Sequence, residues 1–272
     1  MAAVDDVAAS SSEELETRSL PLGRLLPAAG LASVIGIWWL LSATHITNQL
    51  ILPSPQSVFE AAVQEATSGI LLPNMLISLQ RVLIGYLIAV VVGVGFGLVV
   101  GWNNVLYAMF GTVVEAIRPI PAIAWIPLAI LWFGLTNNAA YYIVFIGPVF
   151  PIFVTTAAAV RATGKHYVNA ALCLGANETA MLRYIILPGA LPEIFTVLRV
   201  GIALAWTDVV AAELVAAQSG LGYQMWQARE LFQSSHVIFG MLMIGALGFA
   251  SNYLVLLIEH RALRWHRATT AR

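Results

Sequence analysis

Six apolar windows, each long enough to cross a hydrocarbon layer, leave this chain one kind of solvent to fold in. Spanning about 30 Å of hydrocarbon takes roughly 20 helical residues. The windows run from Leu25 to Ala43, Leu76 to Trp102, Val105 to Phe133, Ala139 to Val160, Leu191 to Val215 and Val237 to Glu259. With no water to satisfy backbone polar groups, such segments must be helices. The expected fold class is therefore an all-α integral membrane protein with six transmembrane helices. Composition agrees, because 60% of the 272 residues are hydrophobic and 10% are charged, with a mean hydropathy of +0.84. Soluble domains carry about 25% charged residues.

The positions of the cations set the orientation through the positive-inside rule. With both termini in the cytosol, Arg18, Arg24, Arg161, Lys165, Arg183, Arg261, Arg264, Arg267 and Arg272 lie inside, nine of the 13 Lys and Arg. Arg229 then falls in an outer loop, and Arg81, Arg118 and Arg199 lie in or at the edge of spans. Residues 1–24 hold Asp5, Asp6, Glu13, Glu14 and Glu16 and lack the pattern of a cleaved signal, so they read as a disordered cytosolic tail. Residues 25–73 hold the first span and an outer loop with Pro53, Pro55 and an amphipathic turn from Val58 to Ala66. Residues 74–262 form the core, with a polar insert at 164–187, and 263–272 are a basic tail. Cys173 is the one cysteine, so no internal disulfide is available. Lipid is the expected surroundings, and nucleic acid is not an expected partner.

Small residues recur every fourth position in the second span, at Gly85, Ala89, Gly93, Gly97 and Gly101. They make a smooth ridge for close helix approach, either within the chain or at a dimer seam. In the third span Arg118-Pro119-Ile120-Pro121 and Trp125-Ile126-Pro127 interrupt the helix, since each proline removes a donor and clashes with the preceding turn. Gly147-Pro148 and Pro151 are expected to do the same in the fourth. Irregular backbone at membrane depth survives where protein buries it or where it lines a wet cavity. The expected substrate path therefore includes Arg118, Pro119, Pro121, Trp125, Arg199, Asp208 and Glu213, with proline kinks used purely for packing as the alternative. A charge at mid-membrane costs about 2.5–3.5 kcal/mol on insertion scales, so such groups face a cavity, pair or reach an edge. Glu115, three residues before Arg118, is the simplest internal partner.

The polar insert has a pattern of its own. Tyr167, Ala170, Ala171 and Leu174 form an apolar stripe on a short helix that Gly175 ends. Asn177 caps a second helix, with Glu178 at its positive end and Met181, Leu182, Ile185 and Ile186 as its stripe. Pro188 is expected to stop it. Two short helices between spans make a knob that fits a partner's groove.

The triplet Asn169-Ala170-Ala171, then Gly175-Ala176, and the ending Ile185-x-Leu187-Pro188 resemble the "EAA" loop of permease subunits of bacterial ATP-binding-cassette importers. Ser78-Leu-Gln-Arg81, Trp132-Phe133-Gly134, Leu187-Pro188-Gly189-Ala190-Leu191-Pro192, Leu198-Arg199, Ala212-Glu213 and Gly220-Leu221-Gly222-Tyr223 resemble the branch importing nitrate, sulfonates, taurine and bicarbonate. The resemblance covers about Asn74 to Arg261. It implies a type I, MetI-like permease fold in a bacterial inner membrane and a second permease copy. It also implies two cytosolic ATPase subunits seated on the insert and an extracytoplasmic binding protein. By it, Asn169, Ala170, Ala171, Gly175, Ala176, Ile185, Leu187 and Pro188 couple to the ATPase, with Asn169 in place of the glutamate that names the motif. Asp208 is unusual for the branch and is a candidate substrate-specific feature.

No GxxxxGK[ST] loop is present, because Gly164-Lys165-His166 lacks the leading glycine and the following hydroxyl. The chain is therefore expected not to be an enzyme and to hold no cofactor, with ATP and magnesium bound by partner subunits. Two rivals remain. An ion-coupled secondary transporter would need a coupling-ion site and often shows repeated halves; broken helices are here, but no convincing repeat. A membrane enzyme would need a nucleophile and base or a metal cluster, whereas His45, His166, His236, His260 and His266 are scattered.

Overall fold

The computed structural model describes residues 22–44, 51–163 and 165–264. All regular structure among them is helical, as the apolar windows require. The chain divides into two units, 1–60 and 61–272. The first contains helix α1 (Leu22–Ala43) and the start of α2 (Pro55–Thr67), and Trp38 Nε1 donates to the Pro53 carbonyl at 3.1 Å. The first expected span coincides with α1, whose apolar stretch Ala32–Ala43 is shorter than a full crossing.

The second unit continues with α3 (Leu71–Trp102), α4 (Asn104–Ile117), a 3-10 turn (Ala122–Trp125) and α5 (Ile126–Phe133). After these come α6 (Asn137–Ala162), α7 (Lys165–Cys173), α8 (Glu178–Met181), a π-helical turn (Leu182–Ile186), α9 (Leu187–Ala216), α10 (Leu221–Glu230) and α11 (Ser234–Ala262). Four stretches are long and apolar enough to cross a membrane: α3, α6, the run from Glu178 to Ala216, and α11. A fifth is the pair α4 and α5, bent by 88° at residues 118–121. This is the break expected from Pro119 and Pro121. Pro127 makes no separate break, because it sits in the first turn of α5, where a missing donor costs nothing.

Two proline expectations are corrected. α6 runs unbroken through Pro148 and Pro151, so the fourth span is continuous. Spanning helices tolerate proline because neighbouring helices, hydroxyl side chains and ordered water can satisfy the freed backbone groups. Pro188 does not stop a helix either; it occupies the opening turn of α9, and the chain passes from α8 through the π-turn straight into that span.

The small-residue ridge is the spine of the fold. A β-carbon on Gly85 would come within 2.6 Å of Val144, and one on Gly93 within 2.8 Å of Ile152. The same atom on Gly97 would meet Thr156 at 2.8 Å, and on Gly101 the Ala157 carbonyl at 2.8 Å. All four neighbours are on α6, so the ridge serves contact within the chain. Lipid supplies no apolar drive for association, and backbone-close van der Waals contact replaces it. Around this seam Val82, Tyr86, Val144, Ile152, Ile202, Trp206 and Val209 form the largest buried cluster, joining α3, α6 and α9. Tyr86 reaches across to donate to the Leu198 carbonyl at 2.8 Å.

Candidate functional site

α6 has a different polar structure at each end, roughly 37 Å apart for its 26 residues. At its C-terminal end the insert begins. Gly175 takes φ +79°, a left-handed value suited to glycine, and so ends the turn after α7. Asn177 Oδ1 accepts from Ala180 N–H at 2.8 Å, capping α8 as its residue type requires. Ile185 is half-buried, and Met181 and Ile186 are buried, so the second stripe packs inward. The first stripe does not. Ala171 is buried, but Ala170 is exposed, and Tyr167 and Leu174 are 69% and 87% exposed. Leu172 adds a further exposed apolar side chain, so α7 presents an uncovered apolar surface. The side chain of Asn169 lies outside the described residues, as do those of Lys165 and His166. Ala176, Leu187 and Pro188 are half-buried where the insert joins α9.

At the opposite end of α6 a polar clamp closes the bundle. Arg81 on α3 and Glu213 on α9 are 3% and 1% exposed and meet at 2.8 Å. Arg81 also donates to Asn137 Oδ1 at 2.7 and 3.1 Å and to the Ser219 carbonyl at 2.6 Å. Glu213 accepts from Ser78 Oγ and from Gly222 N–H, each at 2.8 Å. Asn74 Oδ1 and Ser78 Oγ take the N–H groups of Gly220 and Leu221. Gly220 holds φ +110°, and a β-carbon there would collide with the Glu213 carboxylate, so this turn needs glycine. Buried charges persist only when paired and hydrogen-bonded. Here one ion pair ties α3, α6, α9 and the 219–222 turn together. Sequence reasoning singled out Arg81, Glu213 and Gly220-Leu221-Gly222 separately and missed that they form one cluster. The available signal was that an arginine and a glutamate in apolar spans each need a partner.

The remaining path residues fall into three places. Ala122, Ile126 and Ala129, beyond the break, pack on Ala139, Ala140, Ile143, Ile146 and Ala212, with Trp125 against the same cluster. Trp125 Nε1 is buried without a partner among the described residues. Arg118, Pro119 and Pro121 in the break are exposed, and no ion pair joins Arg118 to the exposed Glu115 among the described residues. Asp208 lies one turn before Ala212, its carboxylate packed so closely on Gly147 of α6 that a β-carbon there would overlap it. Its Oδ2 has no hydrogen-bond partner among the described residues. Arg199 stands apart, roughly 13 Å along α9 from Asp208, and faces Glu259 of α11 at 3.8 Å. Arg81 and Arg199 thus face neighbouring carboxylates, which leaves Arg118 as the one of the three with no ion pair among the described residues.

Residues 85–264, two thirds of the chain, match the profile of the family described as binding-protein-dependent transport system inner membrane component. The chain belongs to this family. It is 31% identical to the taurine transport system permease protein of Escherichia coli over 266 residues, which is 94% of this chain and 97% of that one. It is 34% identical to the bicarbonate transport system permease protein of Synechococcus elongatus, covering 89% of this chain and 90% of the other. Among solved structures, an inward facing conformation of the MetNI methionine ABC transporter matches 71% of this chain and 98% of its own with a TM-score of 0.58. At 19% identity that likeness shows the fold alone, a type I permease arrangement. The chain is thus an ABC transporter permease, a multi-pass membrane subunit of a class whose ATPase activity resides in partner chains.

Proposed function

We propose that this permease moves a small anion of the sulfonate, taurine, nitrate or bicarbonate class from an extracytoplasmic binding protein into the cytosol by alternating access. Two copies of the chain form the pathway, with both termini in the cytosol. Two ABC ATPase subunits bind ATP and magnesium and seat on the inserts. The observation that carries this reading is the uncovered apolar face of α7, held by a capped turn directly between two spans in a chain of this family. A cargo with an anionic group is supported by the relatives' named cargos, the sulfonate-bearing taurine and bicarbonate, and by Arg118 at the break, which has no ion pair among the described residues. ATP binding closes the ATPase pair and moves the inserts, and a ligand biases the two states only by its differential affinity for them.

Purified permease, its ATPase and its binding protein reconstituted in vesicles should take up labelled taurine, bicarbonate or nitrate only with ATP present. Tyr167→Asp with Leu174→Asp should release the ATPase subunit while the permease still inserts. Uptake that persists with the ATPase inactivated would point instead to an ion-coupled carrier.

A further inference from the structure

Arg161 stands on the last turn of α6, four residues before α7 begins. Its Nη1 donates to Asn104 Oδ1 at 2.9 Å, and its guanidinium carbon lies 4.1 Å from the centre of the Tyr107 ring. Asn104 and Tyr107 are one helical turn apart on the opening turn of α4, so a single planar cation grips one face of that helix twice. The grip needs arginine, because an ammonium group cannot stack its face on a ring while donating sideways. α4 is short and stiff. Asn103, the one residue between α3 and α4, caps it by accepting from Val105 and Leu106 N–H at 2.9 and 3.1 Å. Toward its far end, Val114 and Phe153 are buried together, with Phe110 and Val154 packed around them. At its far end lies the 88° break. α4 is therefore a rod of roughly 20 Å with Arg161 at one end and the bend at the other.

We propose that Arg161 is a positioning residue that passes displacement of the insert along α4 to the broken span. The proposal rests on the importer reading above and deepens it by naming the link between insert and path. Displacement of the end of α6, where the insert is attached, pulls on Asn104 and Tyr107 through Arg161. The rod then delivers that displacement at residues 118–121, where Pro119 and Pro121 have no N–H to donate and the helical ladder thins to the Arg118–Val114 and Ile120–Ile117 bonds.

The test is backbone hydrogen exchange in the assembled complex, nucleotide-free against trapped with ATP and vanadate, in peptides covering 113–126 and 165–175. In the unaltered protein both peptides should respond to trapping. In Arg161→Met the insert peptide should still respond, while the response at the break falls at least about five-fold, the lower range of ordinary coupling. Tyr107→Phe, which keeps the ring, should preserve the response, and Tyr107→Leu should lose it. The tie is overturned if the break responds in Arg161→Met as in the unaltered protein. It is equally overturned if the insert peptide falls silent too, since Arg161 would then serve ATPase docking. If neither peptide responds in the unaltered complex, the importer reading fails and the tie with it.

Discussion

Removing the Glu213 carboxylate tests the clamp most sharply. In Glu213→Ala the Arg81 guanidinium, 3% exposed, loses its counter-ion but keeps Asn137 and the Ser219 carbonyl. Breaking a buried ion pair by removing one partner costs about 3–5 kcal/mol. The retained hydrogen bonds pull the figure toward the lower end, and the orphaned Gly222 N–H and Ser78 hydroxyl push it up by about 1 kcal/mol each. A loss of about 4 kcal/mol is the working value, from the same principle. The paired change Arg81→Met with Glu213→Leu removes both charges, and replacing a buried pair by apolar groups is often close to neutral. The double variant should thus lose at least about 2 kcal/mol less than the summed losses of Arg81→Met and Glu213→Leu made singly, well outside ordinary additivity. Reversible unfolding in mixed micelles, followed by tryptophan fluorescence, measures each of these variants. A loss below about 1 kcal/mol for Glu213→Ala, the size of an exposed pair, or simple additivity in the cycle, would refute the view that the clamp is a desolvated charge pair.

Three further outcomes follow from the packing and the caps. Gly97→Ala should cost about 1–3 kcal/mol by overpacking against Thr156, whereas Gly95→Ala, with nothing within 4 Å of its added carbon, should be tolerated; the same unfolding assay separates them. Tyr86→Phe should lower stability by about 1 kcal/mol, the net value of the bond to the Leu198 carbonyl, without altering far-UV dichroism. Asn177→Ala should cost about 1 kcal/mol of local helix stability, read as faster hydrogen exchange at Ala180 and its neighbours with no change in the α3 and α6 amides.

The sequence exposed those parts whose physics is local or periodic. Helix windows, the fourfold ridge, the Gly175 and Asn177 signals and the Pro119 and Pro121 break depend on spacing and on single-residue stereochemistry, and each reappears in the structure. Pro148, Pro151 and Pro188 misled because a proline's consequence depends on what covers the freed carbonyl and on its position within the helix. The π-turn at Leu182–Ile186 left no mark in composition or period. The clamp was hidden for another reason: Arg81, Asn137 and Glu213 are separated by 56 and 76 positions in the chain, and only folding discloses that they share a site. Glu259, which answers Arg199, was likewise unpaired on paper.

The glycine ridge has a mechanical corollary. Two rods touching almost backbone to backbone at Gly85, Gly93, Gly97 and Gly101, and tied at one end by Arg81 of α3 donating to Asn137 of α6, resist sliding or splaying separately and act as a single beam. Bending strain applied to that beam has to discharge at its compliant joints, the hinge after Ile117 and the wide turn before Leu187. A machine of this design stays rigid through its middle and flexes at its attachments.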